Sequence, residues 1–274
     1  MQQSAQPPSN QQKFMQKDVL ILTHVPWEGP GLIADALAEA GIPYRIRSIV
    51  AEAEPQLPGT GELAGVVILG GPMDADDTVN HPGLAREAQL VRDAVAEEVP
   101  VLGICLGHQI IALALGAPLH KGATQEVGLA PVELVSDDRL LSHLHGTPVV
   151  HWHRDNAGLP EGATLLARTA RCPNQAFRYG SAIGLQFHLE LDQTLLRAWL
   201  DDGGMAAELT RAADAGDGPA TTTAAGQAGT PATPAEQLLA GFAVDQQART
   251  DAARHAFGLF ALDAGARAAT RPAL

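Results

Sequence analysis

The chain has few cysteines and no excess of basic residues. Cys105 and Cys172 are the only cysteines among 274 residues, and neither belongs to a CxxC pair. This argues against a disulfide framework or a thiolate zinc site and favours a reducing, cytoplasmic setting. Lysine and arginine total 18 against 31 acidic residues, which gives a net charge of −13. Without a positive surface to neutralise phosphates, we expect neither nucleic acid nor an anionic membrane as a partner.

Long apolar runs are also missing. No stretch approaches the ~18–20 apolar residues of a membrane span, and the polar, Gln-rich residues 1–17 contain no apolar signal segment. Residues 1–17 are therefore predicted to be a disordered tail. Residues 212–235 are rich in Ala, Gly, Thr and Pro and have almost no large apolar side chains. Such a composition is typical of a flexible linker.

Between residues 18 and 116, two patterns alternate regularly. Short runs of branched apolar residues, typical of buried strands, alternate with segments of helical periodicity. The strands are predicted at 18–25, 42–50, 63–71 and 100–105, and the helices at 29–41, 81–99 and 106–116. Such alternation predicts right-handed βαβ units, and hence an α/β fold with an open, mostly parallel, flavodoxin-like sheet flanked by helices.

The pattern changes after residue 117. Short strands separated by turns predict antiparallel strands at an edge of the sheet, followed by a helix at 192–204 that returns to the sheet. We therefore expect one domain over residues 18–211. Beyond the linker, residues 236–270 regain apolar stripes at helical spacing. This favours a C-terminal helical extension docked on the main domain over a separate partner-binding module.

Cys105 lies where a predicted strand meets a predicted helix, in the stretch GICLGHQ. Gly103 and Gly107 permit a tight turn that would raise Cys105 at the carboxyl end of a central strand, where open α/β sheets bind ligands. The amides and the positive dipole end of the following helix would favour a thiolate and could hold an oxyanion. A nucleophile is one interpretation of this cysteine, and a buried core cysteine is the other.

A nucleophilic cysteine needs a base and a group that orients the base. The stretch GLQFHLEL offers both, because strand alternation would place His188 and Glu190 on one face. Taken alone, such a pair is more often a solvated surface pair. Together with the turn at Cys105, it forms a candidate catalytic triad.

Three motifs, GGPM (70–73), GICLGHQ (103–109) and QFHLE (186–190), resemble in order and spacing those of the class I, or triad, glutamine amidotransferases. In particular, they resemble stand-alone members similar to the glutaminase domain of GMP synthase, over about residues 18–202. The resemblance implies that Cys105 attacks the side-chain amide of glutamine, which gives a γ-glutamyl thioester and ammonia. His188 would transfer the proton, and Glu190 would orient His188.

The same resemblance implies binding roles. The GGPM loop matches the oxyanion strand of the family, so the backbone N–H groups of Gly71 and Leu106 would bind the oxyanion. Gly71 has no side chain, which allows its N–H to approach the reacting carbonyl closely. Gln109 matches a family residue that contacts the substrate glutamine. No cofactor is implied.

The stretch HWHRD (151–155) has three interpretations. His151 and His153 would share a strand face, and HxHxD resembles the first metal motif of metallo-β-lactamase-like hydrolases, although that motif continues with histidine where this chain has Asn156. A similar HWHGD-like stretch lines the glutamine pocket of stand-alone amidotransferases. We therefore predict that His153 and Asp155 bind substrate, in preference to structural histidines or metal ligands, and we predict no metal site. Arg154 replaces the usual small residue and could alter access to the pocket.

The sequence contains neither an SGGxDS ATP-pyrophosphatase loop nor a GxxxxGKS/T phosphate loop. It therefore has no recognisable means of activating an ammonia acceptor with ATP. Three functions remain open: delivery of ammonia from glutamine to a separate synthase subunit, free-standing hydrolysis of γ-glutamyl compounds, and an interaction protein that kept the fold and lost turnover. The complete candidate triad counts against the third.

Overall fold

A computed structural model describes residues 17–201, 203–214 and 232–269. The strands are β1 Asp18–Leu22, β2 Tyr44–Arg47, β3 Leu63–Ile68, β4 Val101–Ile104, β5 Leu119–His120, β6 Glu126–Ala130, β7 Glu133–Leu134, β8 Val149–His153, β9 Asn156–Ala157, β10 Thr164–Arg168, β11 Ala176–Tyr179 and β12 Ala182–Leu185. The helices are α1 Leu32–Glu39, α2 Gly83–Ala96, α3 Leu106–Ala114, α4 Gln193–Asp201, α5 Gly204–Asp214, α6 Pro234–Val244 and α7 Gln246–Ala269.

An eight-stranded sheet in the order β2-β1-β3-β4-β12-β11-β10-β7 forms the centre of the molecule. The strands from β2 to β12 in this order are parallel, whereas β11, β10 and β7 continue the sheet in antiparallel pairs. The predicted flavodoxin-like α/β architecture is therefore confirmed. One detail is wrong: β12 was expected in the antiparallel edge, but it pairs in parallel with β4. All four residues of β12 are buried, as expected for a strand covered on both faces.

Helices cover both faces of this sheet. Helices α1 and α7 cover one face, and α2 and α3 cover the other. A third apolar cluster joins α4, α5 and α6 to the β6–β8 pair. In α7, Phe257 and Phe260 are buried, and Gly65 of β3 leaves room for the second ring, because a Cβ at Gly65 would lie 3.2 Å from Phe260 Cζ. The C-terminal helix therefore packs on the same core as β3.

Helices occupy both ends of the segment predicted to be a linker, residues 212–235. Helix α5 ends at Asp214, and α6 begins at Pro234 with the Thr233 hydroxyl accepting a hydrogen bond from the Glu236 N–H. Residues 215–231 and the predicted tail, apart from Lys17, lie outside the described residues. Within the described ranges, no helix combines the length and apolarity that a bilayer crossing requires.

Candidate active site

Cys105 lies on a strained turn between β4 and α3. Its φ of +50° is in the left-handed region, which a residue with a side chain rarely adopts. Two glycines make the turn possible: a Cβ at Gly107 would lie 2.0 Å from the Ile68 carbonyl oxygen, and one at Gly103 would lie 2.5 Å from the Gly107 carbonyl carbon. The Cys105 N–H donates to the Leu185 carbonyl at 2.8 Å. The turn therefore presents the sulfur at the carboxyl end of the parallel strands, as predicted.

His188 faces Cys105 on one side and Glu190 on the other. The His188 Nδ1 and the Glu190 Oε1 are 2.7 Å apart, and the Cys105 sulfur, which lies 3.7 Å from the Trp152 carbonyl oxygen, is near enough to act on the charge of the imidazole. Because the His188 Nδ1 is hydrogen-bonded to Glu190, the Nε2 atom of the ring is the one that can exchange a proton with the Cys105 sulfur. Both side chains are almost completely buried, and the Trp199 ring packs edge-on against the imidazole with centroids 4.7 Å apart. The structure therefore brings the three predicted catalytic residues together.

The local reason given for the His188–Glu190 contact is wrong. Strand β12 ends at Leu185, so strand alternation does not align these side chains. Instead, the His188 N–H donates to the Val150 carbonyl of β8 at 2.8 Å, and the Glu190 carbonyl accepts from the Leu32 N–H at 2.9 Å. A Cβ at Gly31 would lie 2.2 Å from that carbonyl oxygen. The pair is held by tertiary contacts with β8 and with the start of α1.

The surroundings of His188 favour its charged form. Burial opposes the charge, but the Glu190 carboxylate and the Cys105 sulfur raise the pKa of His188 well above its usual 6.5. An imidazolium beside the sulfur is the partner that a thiolate nucleophile requires.

The Glu190→Gln substitution tests the orienting role. We expect the ammonia release from glutamine that the family resemblance implies to fall by about 100-fold, because a neutral amide keeps a hydrogen bond but no longer stabilises the imidazolium. The measurement is the rate of ammonia release across pH. Glu133→Gln, which removes an exposed ion pair with Arg168, is the control and should leave the rate unchanged. Equal rates for wild type and Glu190→Gln would refute the role.

The residues predicted to form the oxyanion site also meet. Gly71 precedes Pro72 in the loop after β3, and a Cβ at Gly71 would lie 2.9 Å from Leu106 Cδ2 and 2.8 Å from His24 Cβ. The loop thus approaches the start of α3 as closely as glycine permits. Leu106 is the first residue of α3, where a backbone N–H has no intrahelical acceptor. Oxyanion binding by these two amides stays a prediction, consistent with this approach.

A cavity of about 290 Å³ opens beside Cys105 and His188. The residues predicted to bind substrate, Gln109, His153 and Asp155, all line it. Gln109 Nε2 donates to Gln186 Oε1 at 3.1 Å, and the Asp155 carboxylate accepts from the Gly122 N–H at 2.8 Å. The Arg154 side chain is exposed at the rim of this cavity, 3.5 Å from an Asp74 carboxylate oxygen.

Helix α5 supplies cavity residues that the sequence did not indicate. Glu208 and Arg211 line the cavity, and Glu208 Oε2 accepts a hydrogen bond from the Trp152 indole at 3.1 Å. No motif marks them, because they reach the site only through the packing of α5 on α4 and α6.

A buried ion pair beneath the GGPM loop was also missed. His24 Nδ1 must donate to the Gly70 carbonyl at 2.8 Å, and its Nε2 lies 3.0 Å from Glu87 Oε2. Burial opposes charge here, but the Glu87 carboxylate raises the pKa of His24 above 6.5. This pair holds the backbone of the loop that carries Gly71. The two residues are 63 positions apart, and no sequence pattern connects them.

Glu28 is a further buried carboxyl group at the site. It lines the cavity, and it flanks Gly70 together with the His188 imidazole: a Cβ at Gly70 would lie 2.2 Å from Glu28 Oε2 and 3.3 Å from His188 Cε1. Burial raises the pKa of Glu28 to about 7, and the charge of Glu190 adds to this effect. Near neutral pH this carboxyl group is therefore half protonated.

The Glu28→Gln substitution should change the pH dependence of stability. The pKa of Glu28 is higher in the folded chain (about 7) than in the unfolded chain (4.5). Wild type therefore loses stability as pH rises from about 4.5 through 7, whereas the variant does not. By pH 8 the variant should gain up to about 3 kcal/mol relative to wild type. Urea unfolding at several pH values measures the difference, with the exposed Glu161→Gln as the control. A difference in unfolding free energy between wild type and Glu28→Gln that does not vary with pH would contradict the raised pKa of Glu28.

Comparison with known families decides the membership of this chain. A family model described as glutamine amidotransferase class-I matches residues 31–204, more than half of the chain. The chain belongs to the class I glutamine amidotransferases. The resemblance read from the three sequence motifs is therefore confirmed, and the amidotransferase motif segments around Cys105 and His188 both fall inside the matched range.

Curated relatives of this amidotransferase cover part of its length. YfeJ of Salmonella typhimurium, named a glutamine amidotransferase-like protein, is 35% identical over 142 residues, which is 48% of this chain and 59% of YfeJ. One of the subunits of the glutamine-hydrolyzing GMP synthase of Methanosarcina acetivorans is 35% identical over 139 residues, which is 48% of this chain and 67% of the archaeal one. The match thus spans less than two thirds of YfeJ.

Among solved structures, the likeness extends over nearly the whole chain. A glutamine amidotransferase from Thermotoga maritima has a TM-score of 0.75 and 28% identity, covering 90% of this chain and 98% of that one. A glutamine amidotransferase from Methylobacillus flagellatus has a TM-score of 0.74 and 26% identity, covering 91% and 95%. The 90% coverage extends beyond the range of the family match.

Proposed function

We propose that this amidotransferase hydrolyses the side-chain amide of glutamine through Cys105, His188 and Glu190. The observation that carries the proposal is the strained turn that presents Cys105 to the His188 imidazole, whose Nδ1 lies 2.7 Å from Glu190 Oε1. Cys105 and His188 line one cavity, and Glu190 supports His188 from the side of the ring away from the sulfur.

In the first half of the reaction, the Cys105 thiol passes its proton to His188 Nε2, and the sulfur attacks the amide carbon of glutamine. The backbone N–H groups of Gly71 and Leu106 bind the oxygen on which negative charge develops. His188 then donates its proton to the leaving nitrogen, ammonia departs, and a γ-glutamyl thioester on Cys105 remains.

In the second half, His188 takes a proton from a water molecule, which attacks the thioester carbonyl. The same two amides hold the second oxyanion. Its collapse breaks the carbon–sulfur bond, and the proton on His188 returns to the sulfur. The products are glutamate and a regenerated enzyme, and Gln109, His153 and Asp155 would orient the glutamine throughout.

The ammonia is proposed to pass to a separate synthase subunit. The chain has no ATP-binding motif of its own to activate an acceptor, and one of its relatives is named as one subunit of a glutamine-hydrolyzing GMP synthase. The acidic chain is proposed to work in the cytoplasm.

One observation favours a second candidate, hydrolysis of larger γ-glutamyl compounds. Helix α5 adds Glu208 and Arg211, one charge of each sign, to a cavity of about 290 Å³. These groups could hold the part of a substrate that extends beyond the γ-glutamyl unit.

Release of ammonia and glutamate from glutamine, measured beside release of amine from γ-glutamyl peptides, tests the proposal. Preference for glutamine supports the amidotransferase reaction, and preference for the peptides supports the second candidate. Failure of the folded chain to turn over either class would leave the interaction-protein alternative.

A further inference from the structure

A cluster of three side chains of metal-ligating type includes His153 of the cavity wall and two residues behind it. Glu126 of β6 and His151 and His153 of β8 bring one ligand atom each within 4.8 Å of the others. The register of the β6–β8 pair explains this: Glu126 lies opposite His153, and Gly128, which has no side chain, lies opposite His151. His153 Nε2 is 3.1 Å and His151 Nδ1 is 4.0 Å from Glu126 Oε2.

Backbone contacts orient both imidazoles toward the carboxylate. His151 Nε2 lies 3.2 Å from the Ala130 carbonyl oxygen, and His153 Nδ1 lies 3.1 Å from the Asp155 carbonyl oxygen. A carbonyl oxygen only accepts hydrogen bonds, so these two nitrogens carry the protons. In each neutral ring, the other nitrogen then directs its lone pair into the space that Glu126 Oε2 also faces. Histidine ligands of metal ions are held in this way, with the second ring nitrogen donating to a carbonyl or carboxylate.

The cluster has more acceptors than donors. In the part of the chain that the structure describes, the only amide or hydroxyl donor near both inward-facing ring nitrogens is Gln175 Nε2, 3.4 Å from His151 Nδ1 and 3.5 Å from His153 Nε2. This nitrogen also lies 2.6 Å from Glu126 Oε2 and 3.4 Å from Thr169 Oγ1, so its two hydrogens face four acceptors. With the proton on His153 Nδ1, no hydrogen lies between His153 Nε2 and Glu126 Oε2, which are 3.1 Å apart, and a metal cation would bridge these two atoms.

Gln175 and Thr169 both hydrogen-bond to the Glu126 carboxylate. Gln175 Nε2 donates to Glu126 Oε2 at 2.6 Å, while its own buried Oε1 has no hydrogen-bond partner among the described residues. Thr169 Oγ1 donates to the other carboxylate oxygen, Glu126 Oε1, at 2.7 Å, which supplies the outer hydrogen bond that ligating carboxylates commonly receive.

We propose that Glu126, His151 and His153 bind a divalent cation, with zinc favoured. Two imidazoles and a carboxylate suit zinc, whose ligands at about 2.1 Å lie roughly 3.4 Å apart in a tetrahedron. The cation would fix the β6–β8 pair, and with it the cavity wall formed by His153, Arg154 and Asp155. It takes no part in the cysteine chemistry proposed above.

The test is a zinc or cobalt(II) titration of the chelator-treated full chain carrying Cys105→Ala. That substitution removes the sulfur of the active site, which could otherwise bind the metal, and it separates the result from catalytic activity. We expect one equivalent of tightly bound metal, a visible cobalt(II) spectrum without sulfur charge transfer, and a higher melting temperature.

Ligand variants in the same background decide the location of the metal. Glu126→Gln, which keeps side-chain size, and His153→Asn, which keeps a polar group but has no atom at the Nε2 position, should each weaken binding by at least about 100-fold. His143→Ala, which breaks an exposed stacked pair with His255, is the matched control and should bind as tightly as its parent. A folded Cys105→Ala chain that binds no metal, or one whose affinity is unchanged by Glu126→Gln, would overturn the proposal.

Discussion

The Cys105→Ala substitution should abolish ammonia release, by at least about 1,000-fold, while the chain stays folded. Without the Cys105 sulfur no thioester can form, and binding of glutamine in the pocket cannot by itself restore the rate of hydrolysis. Stability should change little, because alanine and cysteine meet the same backbone restriction at φ +50° and the sulfur lies at the cavity, where its loss leaves no closed void. Initial rates of ammonia release and a thermal melt measure the two effects.

Cys172 provides the matched control. It is fully buried, and burial raises the pKa of its thiol to about 12, so it is a neutral core side chain at physiological pH. Cys172→Ala should keep full turnover and lose on the order of 1 kcal/mol of stability. If Cys105→Ala unfolds the chain, or if Cys172→Ala is the inactive variant, the assignment of the nucleophile is wrong.

The Gly107→Ala substitution should destabilise the fold by about 3–5 kcal/mol. Its Cβ would lie 2.0 Å from the Ile68 carbonyl oxygen and 2.7 Å from the Ile68 carbonyl carbon. Both are backbone atoms of β3, which cannot turn aside as a flexible side chain could, so α3 must move away from the sheet. Because Cys105 is two residues before Gly107, the same movement should displace the sulfur and lower turnover.

A glycine in another helix is the control for this prediction. A Cβ at Gly258 of α7 would meet nothing within 4 Å, so Gly258→Ala should be neutral or stabilise the chain by up to about 1 kcal/mol through helix propensity. Urea unfolding of the two variants measures the contrast. Similar stabilities for both would show that the close approach of α3 to β3 is not required.

Features set by neighbouring residues could be predicted from the sequence. The strand–turn–helix around Cys105 follows from local residues: branched apolar residues before it, helical periodicity after it, and glycines at 103 and 107. The approach of Gly71 to the start of α3 was expected only because the GGPM motif resembles the oxyanion strand of the family.

Features that depend on tertiary contacts could not be predicted from the sequence. Nothing local shows that β12 joins the parallel part of the sheet, or that β8 and the start of α1 hold His188 and Glu190 in place. Glu126 meets His153 only through the register of two strands, which is why the metal interpretation of HWHRD lacked its third ligand in the sequence. Glu28 belongs to no motif, and its altered pKa depends on burial and on charges from distant segments.

The central claim, that Cys105 is the nucleophile of this site, is tested most directly by covalent labelling. The full chain is treated with an electrophilic glutamine analogue, and peptides are analysed by mass spectrometry. We predict one adduct per chain, located on Cys105, formed more slowly in the presence of glutamine and absent from Cys105→Ala. A folded chain that forms no adduct, or that carries it on Cys172, would contradict the claim.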